Sequence, residues 1–241
     1  GTLDDSTDNT GVGIGALDAL TSGDNNTAVG QDAGTELTAG TRNTMLGSGA
    51  GDSITSATNN TVIGSLAGAT ISNAGHYNTL IGKGAGTNIS TGDGNVVIGV
   101  VNADSATDDR TLKISGYDGT NTTTWISGDS SGNLTFKRVD TGDDNPYVLT
   151  LQTGETDIAS ADILGSINFQ APDEGAGTDA ILVAAGIEAV SEGDFSSSNN
   201  ATKLSFKTAA SEAAAEKMAL SSAGVLDITN GGLTSTSGDI D

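Results

Sequence analysis

The pattern Asn-Thr-x-aliphatic-Gly returns six times in the first hundred residues, and no other feature constrains the fold of this chain as strongly. Copies begin at Asn9, Asn26, Asn43, Asn60 and Asn78, and a last one, with Val in place of Thr, begins at Asn95. They are spaced 17, 17, 17, 18 and 17 residues apart. A nearly fixed period of this length marks a stacked architecture, in which each copy is one unit resting on the next.

Counting each Asn as position 0, position 3 is Val12, Val29, Leu46, Ile63, Ile81 and Ile98, and position 11 is Leu20, Leu37, Ile54, Ile71 and Ile89. These two columns of large aliphatics are the expected structural core. Between them lie Gly/Ala segments such as Gly47-Ser48-Gly49-Ala50-Gly51, whose glycines disfavour helix and allow tight corners. The expectation is two short strands and two turns per copy, piled into a parallel β-roll or solenoid of about six 17-residue coils. At a rung spacing of about 4.8 Å, stacked Asn side chains can hydrogen-bond along the axis. That geometry also accounts for the Asn-Thr pairs, including the acceptor-like triplets Asn25-Asn26-Thr27 and Asn59-Asn60-Thr61, without glycosylation.

Position 2 is apolar as well from the second copy on: Ala28, Met45, Val62, Leu80 and Val97. Side chains alternate across a strand, so this column faces away from position 3. A strand apolar on both faces is covered on both. A thin roll has one interior, so position 2 is expected to form a subunit interface, and a homotrimer wound round a threefold axis satisfies both faces.

The Asn-Thr-x-aliphatic-Gly unit followed by Ala-Gly resembles the head repeats of trimeric autotransporter adhesins, and more strongly the repeats of tail-fibre proteins of tailed, marine bacteriophages. The period of 17 is longer than in the adhesins. The resemblance implies a structural segment of a trimeric phage fibre in the virion, a rigid rod presenting a host-receptor-binding region. Its partners would be further copies of itself, other fibre, baseplate or capsid proteins, and a host surface glycan or protein. A bacterial cell-surface adhesin or extracellular filament subunit is the alternative, and a polysaccharide-degrading tailspike a third reading.

The repeat is expected to end where Asn102-Ala103 replaces Ala-Gly and an acidic run, 104–109, supplies a polar cap. This gives a roll domain over 1–106, a β connector over 107–145, a β shaft module over 146–230 (β-prism or sandwich-like) and a low-complexity tail over 231–241. Strands are expected at 111–115, 122–127, 133–139, 147–152, 163–170, 180–190, 203–207 and 225–229. The segments 162–174 and 216–228 resemble shaft modules of marine phage fibres. The Ala-rich stretch 209–219 reads as a loop between strands or a short helix.

Composition narrows the function. Asp and Glu number 31 against 9 Lys and Arg, a net charge of −22, which opposes binding to phosphate backbones or anionic lipid. No apolar run reaches the roughly 18 residues of a membrane span. The chain contains no Cys and a single histidine, His76, expected in an exposed turn, so neither a nucleophilic triad nor a metal cluster is expected within one chain. No cofactor is implied. The acidic clusters at Asp4-Asp5, 104–109 and Asp143-Asp144 lack calcium-loop spacing. Trp125 and Tyr117 are expected in a core or an interface rather than in a sugar platform. The chain reads as non-enzymatic and β-rich.

Overall fold

In a computed structural model the described residues are 6–138, 142–144, 146–170, 182–210 and 213–229. Among them the fold is all-β, without a helix. Two compact units divide the chain, residues 1–147 and 148–241. The expected roll boundary at 106 therefore falls inside the first unit, and the expected tail over 231–241 lies outside the described residues.

The first unit is a parallel β-solenoid. Each repeat contributes one three-residue strand: β1 Thr10–Val12, β2 Thr27–Val29, β3 Thr44–Leu46, β4 Thr61–Ile63, β5 Thr79–Ile81 and β6 Val96–Ile98. They pair in parallel with like on like, Thr10 beside Thr27 and Ile63 beside Ile81. The second strand expected in each coil is a pair of tight turns instead. These turns still bond from coil to coil, as in Gly34 N–H to Ala50 C=O at 3.0 Å and Gly51 N–H to Ala67 C=O at 2.9 Å. The Gly at position 4 makes the corner compulsory. Gly47 has φ of 138°, and a Cβ there would lie 2.6 Å from the Gly64 carbonyl in the next coil. Only glycine allows that approach.

The sheet does not stop at the sixth repeat. Strand β7 (Leu112–Tyr117) pairs in parallel with β6, and β8 (Thr122–Gly128) and β9 (Leu134–Phe136) continue it antiparallel. The acidic run 104–109 is thus the return path of the sixth coil, leading into a seventh rung at β7, and not a terminal cap. The Asp108 carbonyl accepts from Asn95 Nδ2 at 2.7 Å, and Asp109 Oδ1 accepts from Asp93 N–H at 2.8 Å.

Inside the solenoid the strand column Ala28, Met45, Val62, Leu80 and Val97 meets the turn column Leu20, Leu37, Ile54, Ile71 and Ile89, with Ala33, Ala50, Ala67 and Ala85 between them; all are fully buried or within 1% of it. This reverses part of the sequence reading. Position 2 is the core of one chain and not an interface, whereas position 3 (Val12, Val29, Leu46, Ile63, Ile81 and Ile98) points outward. Val12 is 56%, Leu46 47% and Ile81 36% exposed. The physical reason is the asparagine. Alternation puts positions 0 and 2 on one face, and position 0 is buried in five successive coils.

The buried asparagines form a closed ladder. Asn60 shows the pattern: its N–H and its Nδ2 both donate to Asn43 Oδ1 at 3.1 Å, and Nδ2 also donates to the Gly75 carbonyl at 2.9 Å. Its Oδ1 accepts from Asn78 N–H and Nδ2 at 2.9 and 3.2 Å. Every polar atom of the side chain is satisfied, which a buried amide requires. The ladder ends at Thr111, whose N–H and hydroxyl donate to Asn95 Oδ1 at 3.0 and 2.7 Å. The apolar column ends beside it at Lys113, paired with Val97, whose ammonium reaches out to the Asp104 carboxylate.

The second unit is a five-stranded antiparallel meander: β10 Ile163–Gln170, β11 Val183–Ser191, β12 Thr202–Thr208, β13 Ala215–Leu220 and β14 Leu226–Ile228. The Ala-rich segment expected as loop or helix supplies β13, and no strand forms at 147–152. Helix propensity yields there to cross-strand packing, because Met218 sits between Phe206 and Ile228. One row, Ile167, Ile187, Phe206, Met218 and Ile228, crosses all five strands. The opposite face is polar, with Lys207 Nζ on Glu188 at 2.8 Å and Lys203 Nζ on Glu216 at 2.7 Å.

Candidate functional site

The feature best suited to recognition is the outer face of the solenoid sheet. Strand alternation places positions 1 and 3 there, and register stacks them. One column is Thr10, Thr27, Thr44, Thr61, Thr79 and Val96; the other is Val12, Val29, Leu46, Ile63, Ile81 and Ile98. None of these twelve residues is charged, in a chain of net charge −22. A face kept free of charge while the rest of the surface is acidic is suited to contact with another apolar surface rather than with water.

The second unit has a comparable face. Its polar side contains Ser205 and Glu188, 1% and 9% exposed, whereas on its apolar side Ile167, Leu204, Leu220 and Leu226 are between 40% and 53% exposed. An isolated single-layer sheet with a bare apolar side is marginal in water and gains stability once that side is covered.

Other polar groups prove structural. His76 is not a free loop residue: its Nδ1 accepts from Thr58 N–H at 3.0 Å, and its own N–H donates to Asp93 Oδ1 at 2.6 Å. It occupies a column two residues before each Asn, where Asp24 Oδ1 likewise accepts from Thr7 N–H at 2.7 Å. Because a backbone N–H can only donate, Nδ1 is the unprotonated nitrogen. Among the described residues no group of three His, Cys, Asp or Glu is disposed to hold a metal ion. Asp143 and Asp144 are exposed, and Asp4 and Asp5 lie outside the described residues. Burial raises the Asp52 carboxyl above its ordinary 3.8, with repulsion from Glu36 and Asp32 adding to it and hydrogen bonds from Ser53 opposing it. No helix among the described residues is long and apolar enough to cross a membrane.

Tyr117 and Trp125, expected in a core or an interface, are 51% and 53% exposed in the single chain. Both belong to the β7–β8 hairpin. Ile114 pairs with Ile126 and Ser115 with Thr124, so Trp125 is the extra residue of a β-bulge. Sequence reasoning missed this placement because neither the bulge nor the direction in which it turns the ring has a compositional signature.

Comparison with protein-family models, with curated proteins and with solved structures returned no match.

Proposed function

We propose that this chain is a structural segment of a homotrimeric fibre, of the kind built by tailed bacteriophages, in which the solenoid is a stiff spacer and its outer sheet face the contact between copies. The observation that carries this reading is the uncharged double column of Thr and Val/Leu/Ile on the outer face. The interface is therefore position 3 with position 1, instead of position 2. A second copy is the natural cover, since it brings the same columns at the same spacing of about 4.8 Å, and since a single chain leaves two separate apolar faces to solvent. The count of three rests on the resemblance of the repeat to trimeric fibres. Function is mechanical: stacked backbone pairing along the axis, with no reaction assigned to any side chain.

Light scattering on the intact chain tests this. A mass of three times the 23.7 kDa chain is expected. The paired substitutions Leu46→Asp and Ile81→Asp should release the single chain with its far-UV spectrum unchanged, because both side chains point outward. A wild-type chain of 23.7 kDa at tens of micromolar would refute the assembly.

A further inference from the structure

The β7–β8 hairpin has features that the rod function does not use. The bulge at Trp125 turns its indole onto Gly116, where a Cβ would lie 2.5 Å from Cζ2 and 2.6 Å from Cη2. A side chain at 116 would displace the ring, so the glycine is what lets a flat aromatic surface lie along the strand. Beside it is an open concavity of about 310 Å³, walled by Trp125, Tyr117, Asp118, Asn121 and Thr123. Tyr117 also borders a second concavity of about 520 Å³. Its hydroxyl donates to the Gly119 carbonyl at 2.7 Å, which holds the ring in place between the two.

The polar groups here are positioned in advance. Asp118 Oδ1 accepts from the backbone N–H groups of Thr120 and Asn121 at 2.8 and 2.7 Å, which fixes the carboxylate at the rim. A flat indole, an oriented carboxylate, an amide and a hydroxyl together complement one chemical type: a molecule with an apolar face edged by hydroxyl groups. That is a neutral sugar ring, whose C–H face packs on an aromatic while its hydroxyls bond to Asp, Asn and Thr. Anionic ligands fit poorly, because no Lys or Arg lines the smaller concavity and the chain is strongly acidic.

We infer that the Trp125–Tyr117 groove is a binding site for a neutral oligosaccharide, with one sugar ring on the Trp125 indole and its hydroxyls on Asp118 and Asn121, and with the chain continuing past Tyr117 into the larger concavity. This gives the proposed fibre a ligand of its own along its length, and to that extent it rests on the fibre reading.

The protein supplies its own probe, since Trp125 is its only tryptophan. Emission of the intact wild-type chain is titrated with cellotetraose, maltotetraose and chitotetraose, with choline chloride as a cationic control. The expected result is a saturable change with at least one tetrasaccharide at millimolar concentration or below, and none with choline. Gly116→Val, which drives the ring off the strand, should weaken that response at least tenfold. Asn121→Ala, at an exposed turn, should weaken it severalfold with the far-UV spectrum intact. No response to any tetrasaccharide up to about 10 mM, or a response unchanged in both variants, overturns the proposal. So does a response to choline alone, which would indicate a cation site, or emission in the assembled protein that iodide cannot quench, which would indicate a subunit contact. Light scattering on the same sample keeps the two readings apart: a monomer that still binds sugar removes the fibre and leaves the groove.

Discussion

Replacing Asn60 by Ala should unfold much of what the solenoid gains from stacking. The side chain makes two donated and two accepted hydrogen bonds, to Asn43 Oδ1, Gly75 C=O, and Asn78 N–H and Nδ2. Truncation leaves Asn43 Oδ1 with one donor, Asn60 N–H, but orphans three buried groups: the Gly75 carbonyl, the Asn78 N–H and one Asn78 amide hydrogen. Each buried unsatisfied group costs about 1–3 kcal/mol. One water admitted to the vacated space can re-pair part of them. The net loss is therefore roughly 3–6 kcal/mol, against a total of about 5–15 kcal/mol for a domain. With a urea slope of about 2 kcal/mol per molar, the midpoint falls by roughly 1.5–3 M. The assay is urea denaturation followed by far-UV circular dichroism, at one protein concentration, because the proposed assembly would couple stability to concentration. Asn9→Ala is the control: Asn9 makes the same kind of contacts at the first rung, but partly exposed, so its loss should cost about 1 kcal/mol. If the two variants lie within about 1 kcal/mol of each other, burial of the ladder is not what makes it stabilising, and the reasoning fails.

Two further outcomes follow from the same coils. Gly47→Ala should cost more than about 1 kcal/mol, because its φ is 138° and the new Cβ meets backbone at 2.6 Å; Gly119→Ala, also at positive φ but in open space, should cost less, and thermal melts rank the pair. Asp52→Asn should raise the melting temperature at pH 7. The folded carboxyl is held above its unfolded value of 3.8, so the ionised form is penalised in the fold and that penalty is complete at neutral pH. Below about pH 3.8 the carboxyl is protonated in both states and the difference between wild type and variant should vanish; a gap that persists at pH 3 contradicts this account.

The period, the Asn stack, the glycine corner and the turn column at Leu37 and Ile54 were all legible in the sequence, because each is a spacing and spacings survive translation into coils. Which way the strand faces was harder. Met45 and Leu46 are both large and apolar, and alternation states only that they oppose each other. The deciding signal was the residue type at even and odd positions: Asn, which the ladder satisfies, shares a face with Met45, while Thr44, which tolerates water, shares one with Leu46. The seventh rung does not show in the repeat pattern because Thr111 does the work of Asn after 16 residues, and Lys113 stands where an aliphatic is expected. Strand β13 was obscured by alanines, whose local preference is overruled only once Phe206 and Ile228 are in place on either side. Nothing in residue spacing distinguishes a tryptophan in a bulge from one in a core.

The one copy that is 18 residues long shows how a solenoid can change the length of a coil without breaking its pairing. Its extra residue lies between Ile71 and Asn78, and the amide of Asn60 simply reaches the carbonyl 15 residues on instead of 14. The ladder and the sheet pass the insertion undisturbed. Under axial tension, however, coil junctions are loaded in series, so the solenoid is only as strong as its weakest one. Adding coils lengthens a solenoid without strengthening it, and a single poorly bonded junction sets the load that all of its coils bear.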